Sequence, residues 1–280
     1  MQTVTAEPQL TLTERDQLVA DFERDGYVIM PGKLPVDLMA RVTAAIDRIS
    51  AERRAAEPGL KGVKLQGCVD HDAAFRELMC YQPALELAHD LLGPMFHLCQ
   101  SNFVSRPAIN GEKGTYGADH IGWHADGPRP GLFPRVDGAM GLHYLKFGYF
   151  LTDVNEGGSP LEIIRGSHRK DELCKNGFDP RSCGNDHVTL TCEAGTVVAF
   201  HQAQWHAAGP VTNGEERKNV YISYCPTWMK PLDRHLPGPG DNGHYDPVTS
   251  WLLHEWRDDP VRWWLPSQED GQRLAAYARR

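Results

Sequence analysis

The texture of this chain changes at Gly93, and that change limits its possible folds more than any single residue does. Ahead of Gly93, apolar residues recur at helical spacing. Thr11-Leu12-Thr13-Glu14 has the form of a capping box, and Leu18, Val19 and Phe22 follow it on one face. Gly26 ends that helix, and Tyr27-Val28-Ile29-Met30 reads as a short strand closed by Pro31-Gly32. Pro35 then sits where a helix accepts proline, and Leu38, Val42, Ile46 and Ile49 carry the helix to about Arg54. Two shorter helices are expected over 72–80 and 83–92. Beyond Gly93, short β-rich runs alternate with Gly/Pro loops. Strands are expected near 97–106, 120–126, 143–152, 160–164, 187–192, 195–201 and 218–226. Many short strands with such turns predict an all-β sandwich or barrel, with the N-terminal helices packed on its outside.

At 280 residues the chain fits one domain of this kind, spanning 1–280, with a loose leader over 1–10 and a Trp-rich extension over 229–280. Trp251, Trp256, Trp263 and Trp264 in that extension read as core or interface aromatics rather than substrate-stacking groups. The net charge is −8 and no basic block occurs, which excludes an obvious nucleic-acid surface. No apolar run is long enough to span a membrane and no signal pattern opens the chain, so a cytoplasmic protein is expected, as monomer or homodimer. The seven cysteines are odd in number and contain no CxxC, so neither a disulfide framework nor a zinc cluster is indicated.

The chemistry concentrates in His124-Ala125-Asp126, His206 and Arg217. Residues i and i+2 of a strand point to the same side, so His124 and Asp126 project together. A second histidine from an opposite strand completes two nitrogens and a carboxylate. That is the facial triad of non-haem Fe(II) oxygenases, which leaves positions open. Arg217 opens an apolar stretch eleven residues after His206, and an arginine there can grip a carboxylate through two parallel bonds. Asn219 shares its face. The set describes an iron site with a handle for a dicarboxylate co-substrate such as 2-oxoglutarate, and with room for O2.

Each member has a plainer reading. His206 alone is a hydrogen-bonded core histidine, and Arg217 alone is a solvated charge within Glu215-Glu216-Arg217-Lys218. Order and spacing of the whole set override both. A second HxD, His244-Tyr245-Asp246, lies in a Gly/Pro/Asn-rich loop with only His254 downstream and no arginine at matching distance, and is set aside. His120 and His201 read as core histidines near the ligands. The loop 127–142, directly after the first HxD, is a candidate lid.

The chain resembles the phytanoyl-CoA dioxygenase family of Fe(II)/2-oxoglutarate oxygenases. The resemblance runs from Phe22-Glu23-Arg24-Asp25-Gly26-Tyr27 to about residue 226. It rests on Gly122-Trp123-His124-Ala125-Asp126, on Gly158-Ser159-Pro160-Leu161, on Arg165-Gly166-Ser167-His168-Arg169, and on Trp205-His206-Ala207-Ala208-Gly209-Pro210 with Arg217. Ala208 departs from it, standing where a serine is common. The resemblance implies a mainly β fold with flanking helices, a double-stranded β-helix of jelly-roll or cupin-like form. It implies His124, Asp126 and His206 as iron ligands and Arg217 as partner of the distal 2-oxoglutarate carboxylate. Gln100 and Asn102, on the strand before the HxD, are implied to touch the co-substrate. His168 is implied to belong to a structural turn. The expected activity is oxidation of a small-molecule metabolite by hydroxylation, desaturation or cyclisation, in secondary metabolism, with release of succinate and CO2. Halogenating enzymes that resemble this site carry a small residue where Asp126 stands, so an oxygenase outcome is expected. Two other readings stay open on the residues alone: a catalytically silent metal-binding β-barrel sensor, and a zinc-dependent hydrolase, since two histidines and an aspartate also suit zinc.

Overall fold

Strand β12 (Arg217–Pro226) shows how the chain builds two faces. Along it Val220, Ile222 and Tyr224 turn to one side and join the large apolar core beneath the helices. Arg217, Asn219, Tyr221 and Ser223 turn to the other. The computed structural model in which this is seen describes residues 10–107, 121–126, 135–136, 139–170, 180–209, 211–233 and 245–253.

β12 is central in a six-stranded antiparallel sheet. Its neighbours are β3 (Phe96–Arg106) and β7 (Leu145–Phe150). Outside these lie β2 (Val63–Gln66) on one edge, then β10 (Val197–His201) and β1 (Tyr27–Ile29) on the other. A second sheet holds β4 (Ile121–His124), β11 (His206–Ala208), β8 (Leu161–Ile164) and β9 (His187–Leu190), in that order. From β3 onward the chain passes repeatedly between the two sheets. That alternation is the double-stranded β-helix expected from the sequence. A short hairpin pairs β5 (Arg135–Val136) with β6 (Ala139–Met140). The rest of the expected lid, 127–134 and 137–138, lies outside the described residues.

The helices cover the outer face of the large sheet. They are α1 (Leu12–Asp25), α2 (Val36–Ala56), α3 (Ala73–Met79) and α4 (Gln82–Leu92). The capping box forms as expected: Glu14 N–H donates to Thr11 Oγ1 at 3.2 Å, and the Glu14 carboxylate accepts from Thr11 N–H at 2.8 Å. Phe75 of α3 stacks on Phe103 of β3 with ring centres 5.7 Å apart, both fully buried. Burying a side chain of this size contributes about 1.5–3 kcal/mol, so this layer fixes which sheet face is left to line the barrel.

Four strands were not among the expected ones: β5 and β6, which lie in the expected lid loop, and β2 and β11. β2 is a four-residue edge strand, and β11 is three residues long. Pro35 caps α2 rather than opening it. In the C-terminal extension, α5 (Pro247–Leu252) buries Trp251, whose indole N–H donates to the Phe96 carbonyl at 2.7 Å. Trp256, Trp263 and Trp264, like the leader over 1–9, lie outside the described residues. No helix among the described residues is long and apolar enough to cross a membrane.

Candidate active site

β4 and β11 pair antiparallel with His124 directly opposite His206. The two rings lie 4.4 Å apart, and Asp126 follows the end of β4. His124 Nε2 is 3.8 Å from Asp126 Oδ1, and His206 Nε2 is 3.7 Å from Asp126 Oδ2. One donor atom from each of the three residues falls within 4.8 Å of the others. Three side chains separated by up to 82 positions thus converge because one strand pair brings them into register.

The imidazoles are oriented by the same device. His124 Nδ1 is 2.8 Å from the Gly122 carbonyl, and His206 Nδ1 is 2.9 Å from the Gln204 carbonyl. A carbonyl only accepts, so each Nδ1 is a donor, and each Nε2 is left facing Asp126. Burial pushes His206 down to about 4, with Asp126 opposing the shift, so the ring is neutral at pH 7. Burial raises the Asp126 carboxyl, but Lys146 beside it and His206 outweigh that and hold it below the ordinary carboxylate range. Tyr144 Oη donates to the Asp126 carbonyl at 2.7 Å and holds that backbone.

The sequence gives no advance notice of Lys146 as a site residue. It lies on β7 opposite Ser223 and faces the barrel interior. Its ammonium bonds the Asp126 carboxylate and stands 5.5 Å from the Phe200 ring centre and 5.1 Å from that of Tyr221. A lone charge in the apolar run Tyr144-Leu145-Lys146-Phe147-Gly148-Tyr149-Phe150 was the available signal. The ammonium occupies the cation's side of a two-imidazole, one-carboxylate set. Two imidazole nitrogens and an ionised carboxylate within reach of one another are the donor set that a divalent metal site requires, and the Lys146 ammonium shows that the site already draws a cation.

Farther into the barrel, Phe200 packs 5.2 Å from the His206 ring and belongs to one apolar cluster with Phe150, Val198, Leu161 and Ile163. Arg217 lies over the far end of that cluster, its guanidinium carbon 5.3 Å from the Phe150 ring centre. It is 3 % exposed, and its Nε and one terminal nitrogen have no partner among the described residues. Asn219 is fully buried two positions on, with both amide atoms likewise unpartnered among the described residues. An unsatisfied buried amide and guanidinium each cost free energy unless something polar is brought to them. Asn102 is buried on β3 opposite Tyr221, and Gln100 lies opposite Ser223 on the same face, donating to Gln66 Oε1 at 3.1 Å. Two further residues lie at this end: Arg106, which no motif marks, and Ser159, which stands in the Gly158-Ser159-Pro160-Leu161 motif without a role assigned to it. Arg106 pairs with Arg217 across β3 and β12, and Ser159 Oγ accepts from both guanidiniums.

The histidines set aside behave as expected. His168 lies in a 3-10 turn with Nε2 3.0 Å from the Glu23 carbonyl, and His201 stacks on Phe22 at 6.1 Å. Asp246 of the second HxD caps α5, accepting from Val248 and Thr249 N–H. His120, His244 and His254 lie outside the described residues.

Known proteins resemble this chain in sequence and in fold. The chain is 25% identical over 233 residues to L-proline trans-4-hydroxylase of Streptomyces griseoviridis, covering 72% of this chain and 83% of the relative. The structure of EctD from S. alaskensis with 2-oxoglutarate and 5-hydroxyectoine superposes with a TM-score of 0.60 at 20% identity, over 85% of this chain and 86% of that one. The epimerase SnoN, solved with Fe3+, alpha ketoglutarate and nogalamycin RO, gives 0.59 at 20% identity, over 82% and 97%. Residues 22–219 match the profile of the family described as Phytanoyl-CoA dioxygenase (PhyH). That span takes in both sheets, the paired strands of His124 and His206, and Arg217, and it shows that the chain belongs to the phytanoyl-CoA dioxygenase family.

Proposed function

We propose that this protein is an Fe(II)- and 2-oxoglutarate-dependent oxygenase that oxidises a small-molecule metabolite. The observation that carries the reading is the convergence of His124, Asp126 and His206 at one end of a barrel whose other end buries Arg217 without a carboxylate partner among the described residues. A metal centre and an anion pocket in one cavity ask for a ligand with a chelating end and a distal negative charge.

His124, Asp126 and His206 would hold the metal on one face. When bound, Fe(II) with 2-oxoglutarate and O2 supplies oxidation of an unactivated C–H bond, yielding succinate and CO2. The chain's own contribution is positional. The two carbonyl-anchored Nδ1 atoms fix the imidazoles, and Tyr144 fixes the Asp126 backbone. Arg217 would take the distal carboxylate of the co-substrate, with Asn219 beside it. Asn102 and Gln100 face the same interior and are the candidates for its middle and mouth. Phe150, Phe200, Val198 and Ile163 exclude water from the space between, which strengthens each charged contact. Similarity to a proline hydroxylase and to an ectoine dioxygenase, and to the fold of the neighbour solved with nogalamycin RO, favours a small metabolite, including products of secondary metabolism, as substrate.

Succinate release is the direct test. Purified protein with Fe(II), ascorbate, O2 and 2-oxoglutarate should form succinate slowly alone and faster with a substrate from a panel of cyclic amino acids and natural-product intermediates. His124→Ala and His206→Ala should each abolish it. Full turnover in a folded variant, or equal turnover with Zn(II), would remove the assignment.

A further inference from the structure

One small space joins stretches of the chain that lie far apart. Gly26 ends α1, and an added Cβ there would collide with Gln204 Oε1 and His168 Nδ1, so the bare glycine gives both atoms room. Apart from each other, neither atom meets a hydrogen-bond partner among the described residues. Both side chains are buried, Gln204 completely. A buried amide costs free energy unless it is bonded, and Gln204 is bonded through its other atoms. Its Nε2 donates to the Ile164 carbonyl at the end of β8, and its backbone N–H donates to the His201 carbonyl at 2.9 Å. On the next residue, Trp205 N–H donates to Ser167 Oγ at 2.8 Å, and the Trp205 carbonyl accepts from Ile164 N–H at 3.0 Å. The short loop between β10 and β11 is thus tied to β8 and to the turn that carries His168. The remaining group of Gln204 is its carbonyl, which accepts from His206 Nδ1. His124 differs: its acceptor is the carbonyl of Gly122, which has no side chain to brace it, and His124 is exposed where His206 is buried.

We infer that Gln204 is a positioning residue for the metal centre: seated in the space left by Gly26 and backed by His168, its side chain fixes the carbonyl that orients His206. The inference rests on the metal role proposed above for His206, and it adds residues that hold no metal themselves. An imidazole that binds through Nε2 can still turn, and its Nδ1 bond limits that turn only as well as the acceptor is held. Gln204 is held by its amide, by its N–H and through Trp205 beside it. His206 is therefore the preset ligand, and His124, on an exposed strand end, is the one that adjusts as the metal arrives. The Phe22–Tyr27, Arg165–Arg169 and Trp205–Pro210 stretches then share one task, since they pack together behind a single ligand.

The test reads the binding of Co(II) alone to the full-length protein, without turnover. Gln204→Met keeps the length of the side chain and removes the amide. It should weaken Co(II) about tenfold to a hundredfold, the usual cost of losing support behind a ligand, and should change the visible bands of the bound ion, which report donor geometry. Phe75→Leu, in the helical layer, is the control for lost stability: it should melt lower and keep the natural affinity and bands. Equal weakening in both variants would make the effect one of stability alone and overturn the positioning role. Natural affinity and bands in folded Gln204→Met would overturn it too. Should Gln204→Met not fold, Gly26→Ala decides, because it displaces the amide without removing it. Weaker Co(II) with altered bands, measured below the melting temperature of that variant, supports the role, and natural values overturn it. His206→Ala guards the premise. If it binds Co(II) as tightly as the natural protein, or if the natural protein binds none, the metal reading itself falls and takes the positioning role with it.

Discussion

A buried cation beside a carboxylate proposed to hold a metal changes what metal removal would do. Lys146 bonds Asp126 and is 8 % exposed, so in the metal-free protein it supplies the charge that a divalent ion would otherwise supply. Lys146→Met removes that partner and leaves a half-buried carboxylate uncompensated, at a cost of up to about 3 kcal/mol. The metal-free variant should therefore melt lower than the natural protein. The Zn(II)-induced rise in melting temperature should be larger in the variant, since the ion no longer displaces an ammonium. A smaller rise would show that Lys146 helps the metal bind. His97 gives a second test away from the site. Burial pushes it down to about 4, with the Met229 and Pro226 carbonyls pulling the other way. Between that value and the ordinary 6.5 the unfolded chain binds the proton that the folded chain refuses, so stability is present above 6.5 and is lost as pH falls toward 4. The loss is on the order of 3 kcal/mol. His206 shifts in the same direction, so the natural protein carries both contributions. His97→Gln should lose less stability than the natural protein between pH 7 and pH 4.5 in urea unfolding. Equal losses would show that His97 titrates normally. At this scale the sequence was legible where a motif fixed the spacing, as with His124, Asp126, His206 and Arg217. Lys146 and Arg106 were not legible, because the face a strand residue takes depends on cross-strand register, and Ser159 stood inside a quoted motif with nothing in the sequence to mark its turn conformation.

Elements became readable when their end signals were local. The Thr11–Glu14 box and Gly26 bracket α1 within one residue of its observed limits. β2 and β11 were missed because three or four residues carry too little alternation to stand out, and only pairing with β3, or with β4 and β8, makes them strands. Gly26 also shows how one residue can join three elements. It ends α1 at φ 79°, and its carbonyl accepts from His201 N–H at the end of β10, at 2.9 Å. An added Cβ would lie 1.9 Å from Gln204 Oε1 and 2.4 Å from His168 Nδ1. Gly26→Ala combines left-handed strain with overpacking, so a loss of about 2–4 kcal/mol is expected. Thermal unfolding of the variant is the measurement. A melting temperature within a degree of the natural protein's would mean that the α1 junction yields without cost.

Across the whole molecule, the two sheets divide the work between packing and chemistry. The large sheet turns one face to the helices and the other, bearing Arg106, Lys146, Arg217 and Asn219, to the barrel interior. The small sheet supplies the paired histidines. The change of texture at Gly93 made the helical layer and the β-rich barrel legible. The assignment of strands to sheets was not, since it depends on contacts between residues far apart in the chain. The site that this division creates has its carboxylate position filled by Asp126, bonded by Lys146 and held through its backbone by Tyr144. Under the proposed function, that oxygen takes the coordination position a halide would need, and a fixed anion on the metal's face opposes a second one beside it. Product identity should then not depend on added chloride or bromide. Mass spectrometry of product formed in halide-rich and halide-free buffer decides the matter. Incorporation of halogen by the natural protein would mean that Asp126 leaves the metal during turnover, with Lys146 as the counter-ion that lets it go. Asp126→Gly offers the complementary arm. It opens the position and removes the bonding partner of Lys146. Azide or halide should then perturb the visible spectrum of the Co(II)-loaded variant and leave that of the Co(II)-loaded natural protein unchanged.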